Sequence, residues 1–124
     1  MKLIENKPPR EFEAGFEYKR IIKDCGYINL KPDEQLTFTT ESGGEYDVTK
    51  KDWGFYMGPS LNGRLSSFKL SPVLVKNRIS RFFMFLVEEG FEKEFQKYLD
   101  EEKLSVVCWM HTDDDLEELE RKLE

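Results

Sequence analysis

The sequence predicts an α+β fold in which a largely antiparallel sheet of about five to seven strands carries two C-terminal helices on one face. Short strand-like segments separated by turns fill the first part of the chain, and a strand–helix–strand–helix order follows. Hairpins followed by such an order are typical of α+β proteins. The 124 residues fit one domain, which at this length buries roughly two-thirds of the surface of the unfolded chain.

The N-terminal region divides into an arm and the first strands. Residues 1–14 are polar and contain two adjacent prolines, so we expect an N-terminal arm, followed by a single α+β domain over residues 15–124. Alternating aromatic and polar residues predict a first strand over 16–22. A turn at Asp24–Gly26 separates it from a second short strand over 27–30.

The clearest hairpin comes next. Segments rich in β-forming residues, 36–40 and 46–49, flank Ser42-Gly43-Gly44. The glycines supply the positive φ that a tight turn needs. We therefore predict two antiparallel strands joined at these glycines.

No Asp or Glu occurs in residues 53–87, a segment that we call the acid-free window. Its first part is rich in glycine and is predicted to be irregular, apart from a short helix capped by Ser60. The apolar side of that helix consists of Leu61, Leu65 and Phe68. The second part of the window is predicted to form strands over 73–76 and 81–87. The unbroken apolar run 82–87 is typical of a central strand covered on both faces.

Two helices and a strand complete the chain. An apolar stripe at helical spacing predicts the first helix, and its members are Val87, Phe91, Phe95, Tyr98 and Leu99. The apolar segment 104–110 predicts a buried strand. Thr112 is the expected N-cap of the last helix, with Asp115 in the position of a capping box. The stripe that docks this helix is formed by Leu116, Leu119 and Leu123.

The net charge of −6 hides an asymmetry along the chain. Residues 1–87 carry 14 bases and 11 acids, whereas residues 88–124 carry 5 bases and 14 acids. This acidic C-terminal part argues against nucleic-acid binding, because binding to phosphates requires clustered positive charge without a competing negative field.

The sequence also indicates the cellular compartment of the protein and whether it binds a cofactor. The sequence has no run of the roughly 20 apolar residues that span a bilayer and no apolar N-terminal block like that of a secretion signal. We therefore expect a cytoplasmic protein that does not bind membranes. Cys25 and Cys108 lack metal-binding spacing and are expected to be reduced thiols. Asp113–Asp115 point in different directions around a helix start, so neither a metal site nor a cofactor is expected.

Within the acid-free window, aromatic rings, amide groups and bases without neighbouring acids coincide. Rings stack on sugars and nucleotides, and arginine binds anions through paired hydrogen bonds. The glycines of the window lack the spacing of a phosphate-binding loop. We predict a small accessory or ligand-binding protein that recognises an anionic or sugar-like small molecule. The predicted ligand-binding residues are Trp53, Tyr56, Asn62, Arg64 and Arg81.

Two other functions fit the same sequence. A sugar-modifying enzyme would need acid–base groups, for which the candidate catalytic residues are Asp47, Asp52 and His111. A protein-interaction module would use the aromatic part of the window as its interface. The sequence leaves open whether the protein is an enzyme.

The charge asymmetry also has an internal explanation. The aromatic residues of the window would then form the core, and its five bases would pair with the acidic C-terminal helices, within one chain or across a dimer. We expect the protein to form homo-oligomers.

Three stretches resemble those of small uncharacterised bacterial proteins encoded near enzymes of surface-polysaccharide and nonulosonic-acid synthesis. They are Gly44–Val48, Asp52–Leu65 and Val107–Asp114, and the similarity extends over residues 15–120. The resemblance implies no catalytic residue, but it favours a sugar as the ligand.

Overall fold

The computed structural model describes all residues 1–124 as eight strands and three helices. The strands are β1 (Lys2–Ala14), β2 (Arg20–Asn29), β3 (Gln35–Thr39), β4 (Glu45–Lys51), β5 (Gly54–Gly58), β6 (Leu70–Lys76), β7 (Phe82–Glu88) and β8 (Ser105–Trp109). The helices are α1 (Arg64–Ser67), α2 (Glu92–Glu102) and α3 (Asp113–Leu123).

The strands form three small sheets, with the orders β1–β2, β3–β4–β5 and β7–β6–β8. Every pairing within them is antiparallel. The predicted α+β class with mostly antiparallel pairing is therefore confirmed. The predicted single sheet is not, because the first five strands pair in two sheets of their own.

The N-terminal segment is a strand rather than an irregular arm. Strand β1 pairs with β2 along most of its length, and the register shifts between Glu5 and Arg10, where the two prolines lie. Proline cannot donate to a ladder, so this irregularity accommodates both. The strand predicted over 16–22 begins only at Arg20, since residues 16–19 connect β1 to β2. It is continuous with the strand predicted over 27–30, because the chain passes through Gly26 at φ 148° without turning back.

The hairpin predicted around Ser42-Gly43-Gly44 is confirmed as β3–β4. At its turn, the Gly43 N–H donates to the Thr40 carbonyl oxygen (3.1 Å), and the Thr40 N–H donates to the Gly44 carbonyl oxygen (3.0 Å). The segment after it differs from expectation, since residues 54–58 form strand β5 on the free side of β4.

The helix predicted from Ser60 is shorter than expected. It spans only Arg64–Ser67, with Gly63 at the N-cap position. The Ser60 hydroxyl oxygen still accepts a hydrogen bond from the Arg64 N–H at 3.3 Å. Leu65, predicted on the apolar side, is fully buried.

The core lies between α2 and one face of the β7–β6–β8 sheet. Val73, Val75, Val87 and Leu99 form its buried cluster, with Phe85, Phe95 and Leu104 packed against them. The ring of Phe85 meets those of Phe95 and Tyr98 edge-on, at centroid distances of 6.2 and 6.0 Å. Aromatic pairs of this geometry add about 0.5–1.5 kcal/mol each beyond their buried area.

Strand β7 lies at an edge of its sheet, and the prediction of a central strand covered on both faces was wrong. The side chains of Phe82, Phe83 and Met84 are exposed. Strand β6 occupies the central position instead, because both β7 and β8 pair with it. The prediction that the segment forming β8 is buried was also wrong, since Val106 and Val107 are exposed.

The two C-terminal helices differ in how they pack. Helix α2 buries Leu99 in the core cluster beside the sheet. Helix α3 has the predicted capping box, in which Thr112 Oγ1 accepts from the Asp115 N–H at 3.0 Å. It nevertheless buries no residue, and Leu123 on its apolar stripe is 79% exposed. The docking of both helices on one face is therefore not confirmed.

The chain exposes more surface than a folded monomer of its size. Its accessible surface is 9214 Å², against about 6,900 Å² for a typical monomer of 14.7 kDa. Only 13 of its 124 residues are buried. No helix is long and apolar enough to cross a membrane.

Candidate functional site

The first part of the acid-free window forms an exposed aromatic hairpin. Trp53 lies in the turn between β4 and β5 and is 68% exposed. Phe55, Tyr56 and Met57 follow on β5, and each is more than half exposed. Since successive side chains of a strand point to opposite faces, apolar groups lie on both faces of this edge strand. The ring of Tyr56 covers Gly58 so closely that a Cβ there would lie 2.8 Å from it.

The loop after β5 reaches the beginning of α3. The side-chain amide of Asn62 donates to Asp113 Oδ1 at 2.8 Å. His111 lies two residues before this aspartate, and its Nδ1 atom is buried without a hydrogen-bond partner. The structure therefore brings two predicted residues, Asn62 and His111, to the same end of one helix.

The two predicted arginines lie at opposite ends of the third sheet. Arg64 begins α1, just before β6, and its guanidinium carbon is 5.4 Å from the centroid of the Phe68 ring. Arg81 lies in the turn after β6, where its backbone N–H donates to Asn77 Oδ1 at 2.9 Å. The seven residues of β6 separate them by roughly 20 Å. Because of this separation, a small molecule bound to one chain cannot contact both arginines.

The three candidate catalytic residues do not contact one another. Asp47 Oδ1 accepts a hydrogen bond from the hydroxyl of Thr37, its cross-strand neighbour, at 2.7 Å. Asp52 is exposed in the turn beside Trp53. His111 lies between β8 and α3. No acid–base pair is assembled from these three groups.

Three surface cavities lie away from the predicted ligand-binding residues. A groove of about 470 Å³ runs between the first two sheets and is lined mostly by apolar side chains, among them Leu3, Ile28, Leu36, Phe38 and Phe55. A second, of about 630 Å³, follows β7 and α2. A third, of about 240 Å³, contains Asn77 and Glu102. None of the three is lined by Trp53, Tyr56, Asn62, Arg64 or Arg81.

The proposed pairing of window bases with the acidic C-terminal helices does not occur within the chain. Of the five bases, only Arg78 forms an ion pair, and its partner is Glu17 near the N-terminus. Lys69 donates instead to the backbone carbonyl of Ser42. The acids of α2 pair with Arg20, which lies outside the window.

The most strongly bonded polar group is Glu102, at the end of α2, which the sequence analysis did not single out. Its carboxylate accepts hydrogen bonds from the backbone N–H groups of Phe16, Glu17 and Tyr18, at 2.9, 2.9 and 3.3 Å. Arg20 Nη1 adds a fourth at 3.0 Å. These bonds, chiefly that from Glu17, lower the pKa of Glu102 below its ordinary value.

Aromatic rings complete the surroundings of Arg20. Its guanidinium carbon lies 4.7 Å from the centroid of the Tyr18 ring and 4.8 Å from that of Tyr98. The whole cluster fastens the turn of the β1–β2 hairpin to α2. The Glu102 carboxylate and both Nη atoms of Arg20 are engaged within the chain, so the cluster serves to hold the structure together. Acidic residues on a helix face are usually exposed to solvent. The sequence therefore contains no pattern that distinguishes Glu102 from its acidic neighbours.

Comparison with known proteins gives no further identification. No protein-family model, no curated protein and no solved structure matches the chain. No group of three or more His, Cys, Asp or Glu side chains is placed to hold a metal ion. The fold and its surface define a small α+β protein with apolar edge strands exposed to solvent.

Proposed function

We propose that this is a protein-binding subunit whose interface is built from the exposed aromatic and apolar residues of the acid-free window. The observation that supports this most directly is the exposure of large apolar side chains on two edge strands, β5 and β7. Large exposed apolar patches mark interaction sites, and each of these strands exposes consecutive large apolar residues, Phe55–Met57 and Phe82–Met84.

The composition of the window fits an interface. Charged residues are depleted at the centres of protein interfaces, whereas Trp, Tyr, Phe, Met and Arg are enriched. The window contains no acid and exposes all of these residue types, with Trp53 and Tyr56 on the hairpin. Trp, Tyr and Arg are also the residues that most often dominate binding energy. An interface at the window would therefore explain why it contains no Asp or Glu.

Cavity geometry favours a protein partner over a small ligand at the hairpin. Small-molecule sites are concave and bury most of their ligand. Trp53 lies instead in the exposed turn between β4 and β5, Tyr56 lies on the edge strand β5, and neither lines any of these three cavities. Exposed aromatic residues outside a cavity are suited to contact with another protein.

Photocrosslinking in the native cells tests this function. Tyr56 is replaced by the photoreactive p-benzoylphenylalanine, and the matched control carries the same group in place of the exposed Glu120 on α3. We expect a discrete protein adduct from position 56, identified by mass spectrometry. Absence of any adduct at 56, or the same adducts at both positions, would overturn the proposal.

A second candidate function, binding of an anionic or sugar-like small molecule, is favoured by the contact between Asn62 and Asp113 beside the unpartnered Nδ1 of His111. Free ligand at 100 times its Kd stabilises a fold by about 2.7 kcal/mol. A thermal-shift screen with acidic sugars, sugar nucleotides and keto acids should then raise Tm. The rise should disappear in Asn62→Ala and persist in Asn29→Ala. If no compound shifts Tm, this candidate is dropped.

A further inference from the structure

We infer that the free edge of β7 pairs with β7 of a second copy of the chain, in antiparallel fashion about a two-fold axis, joining two three-stranded sheets into one of six strands. This inference rests on the proposed protein-binding function and names the partner for one of its two strands.

The edge of β7 is open to another strand. The groove of about 630 Å³ is lined by the consecutive residues Met84–Glu88, together with side chains of α2. A groove that contacts consecutive residues of a strand faces its edge, because alternate side chains belong to opposite faces. The unpaired backbone groups of that edge are therefore available.

Strand β7 also lacks the devices that normally prevent edge-to-edge pairing. Proteins protect edge strands with charges, prolines or bulges. Residues 82–87 contain none of these. The opposite edge, β8, differs, because its register with β6 shifts between Leu74 and Val75. Of the two edges of this sheet, β7 is the one suited to extension.

Symmetry restricts the register. A two-fold axis perpendicular to the sheet keeps each face on its own side, so directly opposite residues must lie on the same face. With Phe85 on the axis, Met84 lies opposite Leu86 of the second copy, and Phe83 lies opposite its Val87. The two α2 helices then lie on the same face of the six-stranded sheet.

Charge complementarity favours this register over its neighbours. It places Arg81, just before β7, opposite Glu89 of the second copy, just after β7. Neither side chain forms an ion pair within its own chain. The symmetric arrangement makes this pair twice, once at each end of the apolar segment.

The accessible surface of one chain is large enough to supply a stable dimer interface. The chain exposes about 2,300 Å² more than a typical folded monomer of its mass. A standard stable interface buries about 800 Å² on each partner, so one interface on each copy needs only part of this excess. A second copy paired at β7 therefore covers part of the exposed surface, while the other two sheets and α3 carry the rest.

Light scattering and sedimentation of the purified chain test the inference with two matched variants. Met84 on β7 is 58% exposed and Met57 on β5 is 56% exposed, so Met84→Lys and Met57→Lys introduce the same charge at equally accessible edge positions. We expect a wild-type dimer of twice 14.7 kDa. Met84→Lys should raise the dimer Kd by at least roughly 100-fold, since it places a lysine opposite an apolar residue in the pairing. Met57→Lys should leave the Kd unchanged.

A charge swap tests the register without touching the apolar segment. Arg81→Glu and Glu89→Arg each create two like-charged contacts and should raise the dimer Kd roughly 5- to 30-fold. The double variant restores the pairs and should return Kd to the wild-type value. If the double variant behaves as the sum of the two single changes, this register is overturned.

The outcomes separate this inference from the proposed function. A wild-type chain that stays monomeric at about 100 μM overturns the second copy as partner, while a photocrosslink to a different protein would still support protein binding. A dimer abolished by Met57→Lys and not by Met84→Lys overturns the β7 interface. Large irregular aggregates that Met84→Lys dissolves also overturn it, because a two-fold pairing closes on itself.

Discussion

The carboxylate of Glu102 joins two segments that lie more than 80 positions apart in the sequence. It is 3% exposed and ionised, a state that is stable only when a buried charge is compensated. Three backbone N–H groups and the guanidinium of Arg20 provide that compensation. Together with the Arg20–Glu101 ion pair, this carboxylate attaches the β1–β2 hairpin to α2.

Replacing Glu102 by Gln keeps the size of the side chain but removes its charge. We expect the free energy of unfolding at pH 7 to fall by about 2 kcal/mol, because hydrogen bonds to a charged acceptor weaken and Arg20 loses one of its two carboxylate partners. Urea denaturation measures the change. Glu117→Gln, at an exposed and unpartnered position on α3, serves as the control and should leave the urea midpoint unchanged.

The same variant makes the pH dependence testable. Because the folded-state pKa of Glu102 is lowered, its contribution is fully present above the ordinary glutamate pKa of about 4.3 and is lost as the pH falls through the lower folded pKa. The wild type should therefore lose more stability than Glu102→Gln between about pH 5 and pH 3. Equal losses in both proteins would show that Glu102 is not the group responsible.

At the scale of elements, the features that were predicted are those that nearby residues determine. The β3–β4 hairpin follows from two glycines between β-rich segments, and the start of α3 follows from Thr112 and Asp115 within one turn. Helix α2 follows from the spacing of its apolar stripe. Each depends on interactions over a few residues, which a sequence pattern contains.

The features that were missed depend on distant partners. Strand β5 contains two glycines and looks irregular, yet pairing with β4 makes it extended. The polar segment of β1 is held by β2, whose pairing residues lie up to 27 positions away. Strand β7 looks like a central strand because its sequence is apolar on both faces. The sheet of one chain does not cover it.

The candidate site was predictable only in part, for the same reason. Composition located the aromatic residues of the acid-free window, and the structure exposes most of them, with Phe85 packed against the core instead. It did not indicate that β6 separates Arg64 from Arg81, or that Asn62 contacts the beginning of α3. The first distance is set by the extended course of β6 and the second by the tertiary fold that brings the loop after β5 to α3, and side-chain composition carries no information about either.

The two long helices should respond differently to loss of one leucine side chain. Leu99→Ala on α2 removes a buried member of the core, so the free energy of unfolding should fall by about 2–5 kcal/mol. Leu123→Ala on α3 affects a side chain that is already exposed, and the change should stay within about 0.5 kcal/mol. Urea denaturation of both variants at one protein concentration provides the comparison. A large loss from Leu123→Ala would show that α3 is covered in solution.

At the scale of the whole molecule, exposed surface and missing charge coincide. The chain has a core large enough for one helix and one three-stranded sheet, and its other two sheets bury little. The apolar residues that remain outside are concentrated on strands rather than scattered singly. Strands extend a fold by pairing at their edges, so assembly with another chain is the direct way for this protein to cover them.

The proposed assembly of two copies predicts that thermal stability depends on protein concentration. Folding coupled to dimerisation gains about 2.7 kcal/mol per dimer for each hundredfold rise in concentration. For two chains of 124 residues, this corresponds to a rise in Tm of roughly 5 °C. Calorimetry of the wild type between about 2 and 200 μM should show this rise, because unfolding then includes dissociation. Met84→Lys should melt at a temperature independent of concentration, and a wild-type Tm that does not move with concentration would contradict a dimer whose folding and association are coupled.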